Sequence, residues 1–228
     1  GQKDLKRNGW AIECRINAED PFRNFLPSTG RLVKYRPPVA TMEASQPVPD
    51  GGGVRVDTGV YEGGEIPMFY DSMIAKLIVH GRDRNDAIAR MREALNGFVI
   101  RGVSSNIPFQ SALLAHPKFI AGDFNTGFIA ENYPHGFRAE DVPHDEPEFL
   151  LAIAAAAHRV YRERATTITG QRHGHELKVR DDYVVVLTDA EGRKQQTSVT
   201  VKRQGDSLHL TLHDEPHVVS FDNPLRDI

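Results

Sequence analysis

The sequence has only one cysteine, Cys14, among its 228 residues. A single thiol cannot form an internal disulfide framework, which fits a reducing compartment. No apolar run approaches the roughly 20 residues that a membrane-spanning helix needs, and no signal-peptide pattern opens the chain. The formal net charge of −3 gives no reason to expect a nucleic acid or an anionic membrane as a partner.

Most sequence motifs of catalysis and ligand binding are also missing. There is no glycine-rich phosphate loop, GxSxG elbow, CxxC or HExxH. Glycines 51–53 precede an alternating segment rather than a helix, which indicates a turn. The 10 histidines have no acidic or thiol partner at ligand spacing, so the sequence predicts no metal site. Cys14 falls on the apolar side of a predicted strand, where a buried and inert thiol is expected.

The first half of the sequence is typical of a sheet with attached helices. Alternating apolar and polar residues predict strands over residues 10–17, 31–38, 54–58 and 69–81. Asp83 is a good N-cap for a helix over residues 84–98, and a second helix is expected from residue 107 to a stop at Pro117. The apolar stripe predicted for the first of these helices consists of Ala87, Ile88, Met91, Ala94, Leu95 and Phe98.

The second half begins with a polar, acidic and proline-containing segment, residues 138–147, which we interpret as a domain boundary. An alanine-rich helix follows over residues 146–165. Short alternating segments then predict strands over residues 175–180, 183–189, 196–203, 207–214 and 217–222, an antiparallel meander that begins to close into a barrel. The apolar stripe predicted for the helix consists of Phe149, Leu150, Ile153, Ala154, Ala157, Val160 and Tyr161.

These patterns predict an α+β chain with two domains. Residues 1–137 would form an antiparallel sheet with helices, and residues 138–228 a long helix followed by a meander that closes toward a barrel.

The charged side of the first strand, "WAIECRIN", contains the main candidate site. Its odd positions place Glu13, Arg15 and Asn17 side by side, opposite the apolar positions. On pattern alone, an ion pair between strands on a solvated face explains Glu13 and Arg15 best. Asp71, in "YDSM", fits a turn or strand-capping role as well as a functional one.

Several segments, taken in order, resemble one known family. "WAIECRINAEDP", "GVRVDTGVYEGGEIP", "YDSMIAKLIVHGRDRNDAIARMREAL" and "RGVSSNI" closely resemble the C-terminal domain of biotin carboxylase, a component of biotin-dependent acyl-CoA carboxylases. The resemblance runs from about Gly9 to Phe137. The Gly9-Trp10 pair, "YPHGF" and the helix with its meander resemble the α subunits of propionyl-CoA carboxylases and their linking (BT) domain. The resemblance implies that the long helix is a linker helix and that the β-barrel after it is incomplete. The 3-methylcrotonyl-CoA and geranyl-CoA carboxylase α subunits remain alternatives.

This resemblance implies a ligase that uses ATP and bicarbonate to carboxylate biotin. Arg15, the arginine of "ECR", would be the catalytic and biotin-binding residue, meeting the negative charge that collects on the ureido oxygen, and Glu13 would orient it. The implied cofactors are biotin, ATP and Mg2+, the latter two held mainly by an ATP-grasp segment that is not in this sequence. The implied partners are the carboxyltransferase β subunit, the biotin carboxyl carrier domain and the ATP-grasp part of the same subunit. The implied location is the bacterial cytoplasm or, alternatively, the mitochondrial matrix.

The chain lacks an initiator methionine and a closing element, so we expect it to be a piece of a longer polypeptide that is inactive alone. A different class of function stays open: a non-catalytic module that only docks subunits.

Overall fold

The computed structural model describes residue 3 and residues 8–67, 71–143, 147–188 and 192–220. Two compact units are present, Gly1–Pro143 (unit 1) and His144–Ile228 (unit 2). The parts of the strand and helix predictions that fall on residues 69–70, 146, 189 and 221–222 lie outside the described residues.

Unit 1 is built from short strands and helices. In chain order, its described strands are β1 (Trp10–Asn17), β2 (Glu19–Asp20), β3 (Leu26–Pro27), β4 (Gly30–Arg31), β5 (Lys34–Arg36), β6 (Gly53–Thr58), β7 (Glu65–Ile66), β8 (Met73–Gly81) and β9 (Val99–Arg101). Its helices are α1 (Arg84–Asn96), α2 (Ile107–Ala115), α3 (Pro117–Ala121) and α4 (Phe128–Asn132), with 3-10 turns at Pro21–Arg23 and Ala139–Asp141.

The main sheet of unit 1 has three antiparallel strands in the order β1-β8-β6. Because side chains alternate along a strand, one face of this sheet is apolar and packs against α1. Ile16, Leu77 and Val79 are fully buried there, and burying each such side chain is worth about 1.5–3 kcal/mol. The opposite face of the sheet carries the charged side chains of β1.

Helix α1 forms as its sequence predicts. The side chain of Asp83 accepts a hydrogen bond from the backbone N–H of Asp86, which caps one of the unpaired donors of the first turn. The helix ends at its C-cap, Gly97. Five of the six residues of the predicted stripe are buried, namely Ala87, Ile88, Met91, Ala94 and Leu95, and Phe98 packs partly buried against the same core.

Two elements of unit 1 differ from their prediction. The strand expected over residues 31–38 is split, because β4 pairs with β7 whereas β5 pairs with β9, and the chain changes partner between them. The helix that was expected to stop at Pro117 ends at Ala115, but Pro117 then begins α3. Proline cannot continue a helix, yet its fixed φ suits the first helical position.

Unit 2 consists of one long helix on a meander. Its described elements are α5 (Pro147–Thr166), β10 (Asp182–Thr188), β11 (Lys194–Gln204), β12 (Ser207–Leu212) and β13 (Glu215–Ser220). The strands pair in sequence order, β10-β11-β12-β13. His213 and Asp214 join β12 to β13 with φ values of 48° and 66°, the left-handed conformations that a tight two-residue hairpin requires.

The apolar stripe predicted for α5 lies on a different side of the helix from the residues that are buried. The buried side chains of this helix are Leu151, Ala152, Ala155 and Ala156. Phe149, Leu150 and Tyr161, from the predicted stripe, are 41%, 57% and 67% exposed. Alanine and leucine occur on most sides of this helix, so the sheet that it packs against, rather than helical periodicity, selects the buried side.

The strand expected over residues 175–180 is absent. The backbone N–H groups of His175 and Leu177 bond instead to the carbonyl of Arg172 and the side chain of Gln171, local partners that compete with strand pairing. The sheet formed by the described residues of unit 2 is therefore an open four-stranded sheet and not a closed barrel. The predicted α+β class, with a long helix followed by an antiparallel meander, is confirmed. That this meander belongs to a barrel stays a prediction.

Candidate functional site

Strand β1 places its side chains on two different faces of the sheet. Ile12, Cys14 and Ile16 pack against the core of unit 1. Glu13 and Arg15 are exposed on the opposite face. The predicted alternation of apolar and polar side chains is thus found in β1. It places Arg15 at the centre of the strand with its charge exposed to solvent.

Glu13 and Arg15 form an ion pair along β1 rather than between two strands. Arg15 Nε donates to Glu13 Oε1 at 3.3 Å, and the two side chains are 66% and 44% exposed. The terminal Nη groups of Arg15 have no hydrogen-bond partner among the described residues. The carboxylate therefore contacts one edge of the guanidinium and leaves the other N–H donors available to a ligand.

The strands beside β1 add further charges to the same face. In the strand register, Lys76 of β8 lies directly opposite Arg15, and Asp57 of β6 lies on the other side of Lys76. Asp57 Oδ2 in turn accepts from Arg55 Nη2 at 2.8 Å. Like charges placed opposite each other destabilise a sheet, and the carboxylates of Glu13 and Asp57 offset the charges of Arg15 and Lys76 on this face.

Cys14 lies between the two charged residues in sequence but on the other face. Burial raises the pKa of its thiol to about 12, and the nearby charge of Glu13 acts in the same direction. A thiol with this pKa is almost entirely protonated at neutral pH and is a poor nucleophile.

Asp71 is placed as a turn residue. Its Oδ1 accepts from the backbone N–H of Met73, the first residue of β8, at 3.1 Å. This is the local Asx geometry that fixes the chain as it enters a strand. The described contacts of Asp71 do not include Glu13 or Arg15.

Two amide side chains next to the site were not identified from the sequence. Asn106 and Gln110 both donate to the backbone carbonyl of Arg15. The segment "RGVSSNI" was part of the family resemblance, yet its asparagine stands before a helix, where a capping role is the usual expectation. In the structure this side chain does not cap α2 but reaches β1.

Unit 2 has a surface of its own on which apolar groups are exposed. Besides Phe149, Leu150 and Tyr161 of α5, Val184 and Val186 of β10 are 59% and 49% exposed. An open cavity of about 290 Å³ lies between α5 and β10 and is lined by Ala154, Ala155, His158, Tyr183, Val184, Val185 and Val186. Exposed apolar patches of this kind mark interaction surfaces.

The described residues contain no group of three histidine, cysteine or acidic side chains that could hold a metal ion. Within the same residues, no helix combines the length and the apolarity needed to cross a bilayer.

Comparison with known proteins gives two family matches. Residues 13–131 match the model of the biotin carboxylase C-terminal domain, and residues 150–228 match that of the propionyl-coenzyme A carboxylase BT domain. The chain belongs to the biotin carboxylase C-terminal domain family.

The relatives in this family are longer proteins. The propionyl-CoA carboxylase alpha chain of Ruegeria pomeroyi is 49% identical over 199 residues, which are 83% of this chain and 29% of that protein. Biotin carboxylase 1 of Bacillus subtilis is 51% identical over 127 residues, 56% of this chain and 26% of that protein. The crystal structure of the biotin carboxylase subunit of pyruvate carboxylase superposes with a TM-score of 0.52 at 39% identity, covering 64% of this chain and 28% of that one. The chain thus spans less than a third of the length of these relatives.

Proposed function

We propose that this chain is part of the α subunit of a biotin-dependent acyl-CoA carboxylase and contributes Arg15 to its biotin carboxylase active site. The enzyme is a ligase that carboxylates biotin at the expense of ATP. The single observation that carries this proposal is the exposure of the Arg15 side chain with its Nη donors available. Its guanidinium stands on a stiff strand and is 66% exposed. Its Nη groups are unengaged among the described residues.

These features fit the ureido group of biotin. When bound, biotin supplies the ureido nitrogen that receives the carboxyl group, and its oxygen gains negative charge as that nitrogen is deprotonated. Arg15 keeps its charge at every relevant pH and offers N–H donors in a fixed fork. Glu13, bonded to Nε at 3.3 Å, limits the rotation of this fork. A fixed cation directed at developing negative charge is a large term in catalysis.

ATP and Mg2+ belong to the same proposal but not to these residues. The nucleotide-binding ATP-grasp part of the subunit would hold them, and this chain would supply the wall of the site that faces biotin. A biotin carboxyl carrier domain would deliver biotin to Arg15. We propose residues 1–137 as the biotin carboxylase C-terminal domain and residues 138–228 as the linking domain.

The test is Arg15→Ala in the full-length subunit, assayed for ATP-dependent carboxylation of free biotin. Loss of one donor to a developing oxyanion costs about 2.7–4 kcal/mol, so kcat should fall about 10²- to 10³-fold. Arg23→Ala is a matched control, because Arg23 is also 66% exposed and also pairs with one carboxylate, that of Asp20. Its activity should stay at the wild-type level. Normal biotin carboxylation by Arg15→Ala would exclude the proposed role.

We also propose that unit 2 docks the subunit onto the carboxyltransferase β subunit. The exposed apolar side chains of α5 and β10 support this, because exposed apolar residues are common at interaction surfaces. Exposed apolar side chains alone would also suit the alternative function, a non-catalytic docking module. The exposed guanidinium of Arg15 favours a chain that contributes to catalysis.

Leu150→Gln should weaken copurification of the α and β subunits, because Leu150 is 57% exposed and contributes little to the fold of unit 2. Arg164→Gln, on an exposed position near the end of the same helix, is the control and should not change copurification. If Leu150→Gln binds the β subunit as well as the wild type does, α5 is not part of the interface.

Propionyl-CoA is the acyl substrate that the BT-domain match favours. 3-Methylcrotonyl-CoA and other acyl-CoA substrates are the alternatives, and assays of the intact holoenzyme with a panel of acyl-CoA compounds separate them. The relatives include bacterial and mitochondrial chains, and we propose the bacterial cytoplasm as the location.

A further inference from the structure

The free edge of β1 is bonded by amide side chains, chiefly that of Asn106. β1 is the outer strand of its sheet, so the edge away from β8 has no strand beside it in that sheet. Asn106 Nδ2 donates to the carbonyl of Arg15 at 3.1 Å, and Asn106 Oδ1 accepts from the N–H of Asn17 at 3.0 Å. The primary amide thus pairs with β1 as the peptide group of a neighbouring strand would.

Further bonds make this attachment rigid. The backbone N–H of Asn106 donates to the carbonyl of Asn17 at 3.1 Å. Gln110 Nε2 is a second donor to the Arg15 carbonyl, at 2.6 Å. Asn106 is only 8% exposed, one of two buried polar residues in the described parts of the chain. The peptide that carries Arg15 is therefore held by β8 on one edge and by α2 residues and Asn106 on the other.

We propose that Asn106 and Gln110 are positioning residues for Arg15. This inference rests on the function proposed for Arg15. The guanidinium itself is exposed, and Glu13 is its one hydrogen-bond partner among the described residues. The position of the backbone therefore determines where its N–H groups point. A displacement of about 1 Å in a catalytic group can cost about 10²-fold in rate, and the loss of either amide donor would allow such a displacement.

Gln110→Met is the sharper of two test variants. It removes the donor to Arg15 while nearly preserving side-chain volume. Gln110 Oε1 is buried without a hydrogen-bond partner among the described residues, so removing it takes away an unsatisfied polar atom and should leave the melting temperature unchanged or higher. Asn106→Asp is isosteric and keeps the acceptor for Asn17, but it places a second oxygen against the Arg15 carbonyl.

In the full-length subunit, we expect kcat for free-biotin carboxylation to fall about 3- to 10-fold in Gln110→Met and about 10- to 100-fold in Asn106→Asp. The KM for ATP should not change, because neither residue acts on the nucleotide. Asn132→Asp is the control, since Asn132 Nδ2 also donates to a backbone carbonyl, that of Phe128 at 2.8 Å, but within α4. It should keep the wild-type kcat.

A double-mutant cycle separates positioning from general destabilisation. If the two amides act through Arg15, then Gln110→Met and Asn106→Asp have no further effect on kcat in the Arg15→Ala background. Additive losses in that background would overturn the proposal, as would a wild-type kcat for Gln110→Met. Should Asn106→Asp fail to fold, Gln110→Met decides alone. The proposed function fails separately, when Arg15→Ala itself carboxylates biotin normally.

Discussion

Cys14 and Arg15 are consecutive residues whose chemical environments are opposite. The pleat of β1 places the thiol against the core of unit 1 and the guanidinium in solvent. One side chain is thereby kept unreactive, while its neighbour keeps the charge and the donors that a ligand needs. Residue identity alone would have made both of them candidates for chemistry.

Cys14 should react very slowly with thiol reagents in the folded chain. Its pKa of about 12, raised by burial and by Glu13, leaves roughly one thiol in 10⁴ ionised at pH 8. We expect labelling by a chromogenic disulfide to be slow at pH 8 and to accelerate steeply in denaturant. Rapid labelling of the native chain with a midpoint between pH 8 and 9 would contradict the burial of this thiol.

Sequence reasoning made Arg15 and Glu13 candidate site residues but did not find the residues that bond to the backbone of Arg15. The alternation of β1 is a local pattern, and the caps of α1 are as well, so both could be predicted. Asn106 forms its bonds across 89 residues of sequence, and a lone asparagine gives no periodic signal. Its role could be recognised only when the strand edge and the start of α2 were seen together.

Among the larger elements, α5 is attached to its sheet by ion pairs between side chains as well as by apolar packing. Arg159 Nε donates to Glu163 Oε1 at 2.8 Å, and its Nη1 donates to Asp181 Oδ1 at 2.6 Å and to the carbonyls of Arg180 and Val201. Glu163 Oε2 accepts from two nitrogens of Arg203, at 2.8 and 2.6 Å. The helix is thus linked to β11 and to the chain before β10. None of this was visible in the helical periodicity, which also misplaced the buried side of α5.

Arg159→Met should destabilise unit 2 substantially. The Arg159 side chain is only 11% exposed, but its partners Glu163 and Asp181 are 24% and 49% exposed. Losing its charged hydrogen bonds should therefore cost about 1.5–3 kcal/mol. The loss of stability can be measured as lower protection of the β11 and β12 backbone amides against hydrogen exchange. Arg162→Met, three residues along the same helix, should change protection by less than about 0.5 kcal/mol. Equal protection in Arg159→Met and wild type would mean that the network is energetically neutral.

Glu163 makes the stability of unit 2 sensitive to acid. Burial acts to raise the pKa of this carboxyl, but hydrogen bonds from Arg203 and Arg159 outweigh it, and the pKa lies below its ordinary value. The unfolded chain therefore binds the proton more readily. The stabilisation is present above the unfolded pKa of about 4.3 and disappears as the pH falls through the lower folded value.

Glu163→Gln should accordingly flatten the pH dependence of unit 2. Its urea midpoint should be lower than that of the wild type at pH 7 and should change less between pH 5 and pH 3. Glu215→Gln, at an exposed position of β13, is the control and should keep the wild-type urea midpoint at pH 7. Parallel curves for Glu163→Gln and wild type would show that another group titrates.

For the whole molecule, the chain spans 29% of one relative and 26% of another. The open sheet of unit 2 and the exposed guanidinium of unit 1 both present groups that further protein could complete. The α+β class and the antiparallel meander could be predicted because they follow from local patterns. The prediction of a strand over residues 175–180 was wrong, because local hydrogen bonds and strand pairing compete for the same backbone groups and the sequence does not show which of them forms.

The chain alone should show no biotin-dependent ATP hydrolysis. Mixing it with the separately expressed ATP-grasp part of the subunit should restore measurable hydrolysis, and the Arg15→Ala form of the chain should restore about 10²-fold less. If the chain binds the β subunit but never restores hydrolysis in trans, the docking-module alternative gains over the catalytic one.

The amide attachment of β1 also sets an order of events during protein synthesis. The strand that carries Arg15 is synthesised first, and Gln110, which binds its outer edge, follows 95 residues later. At translation rates of about 5–20 residues per second, that edge stays open for roughly 5–20 s. During this interval a nascent chain exposes an unpaired strand, the kind of edge that chaperones shield and that aggregates recruit.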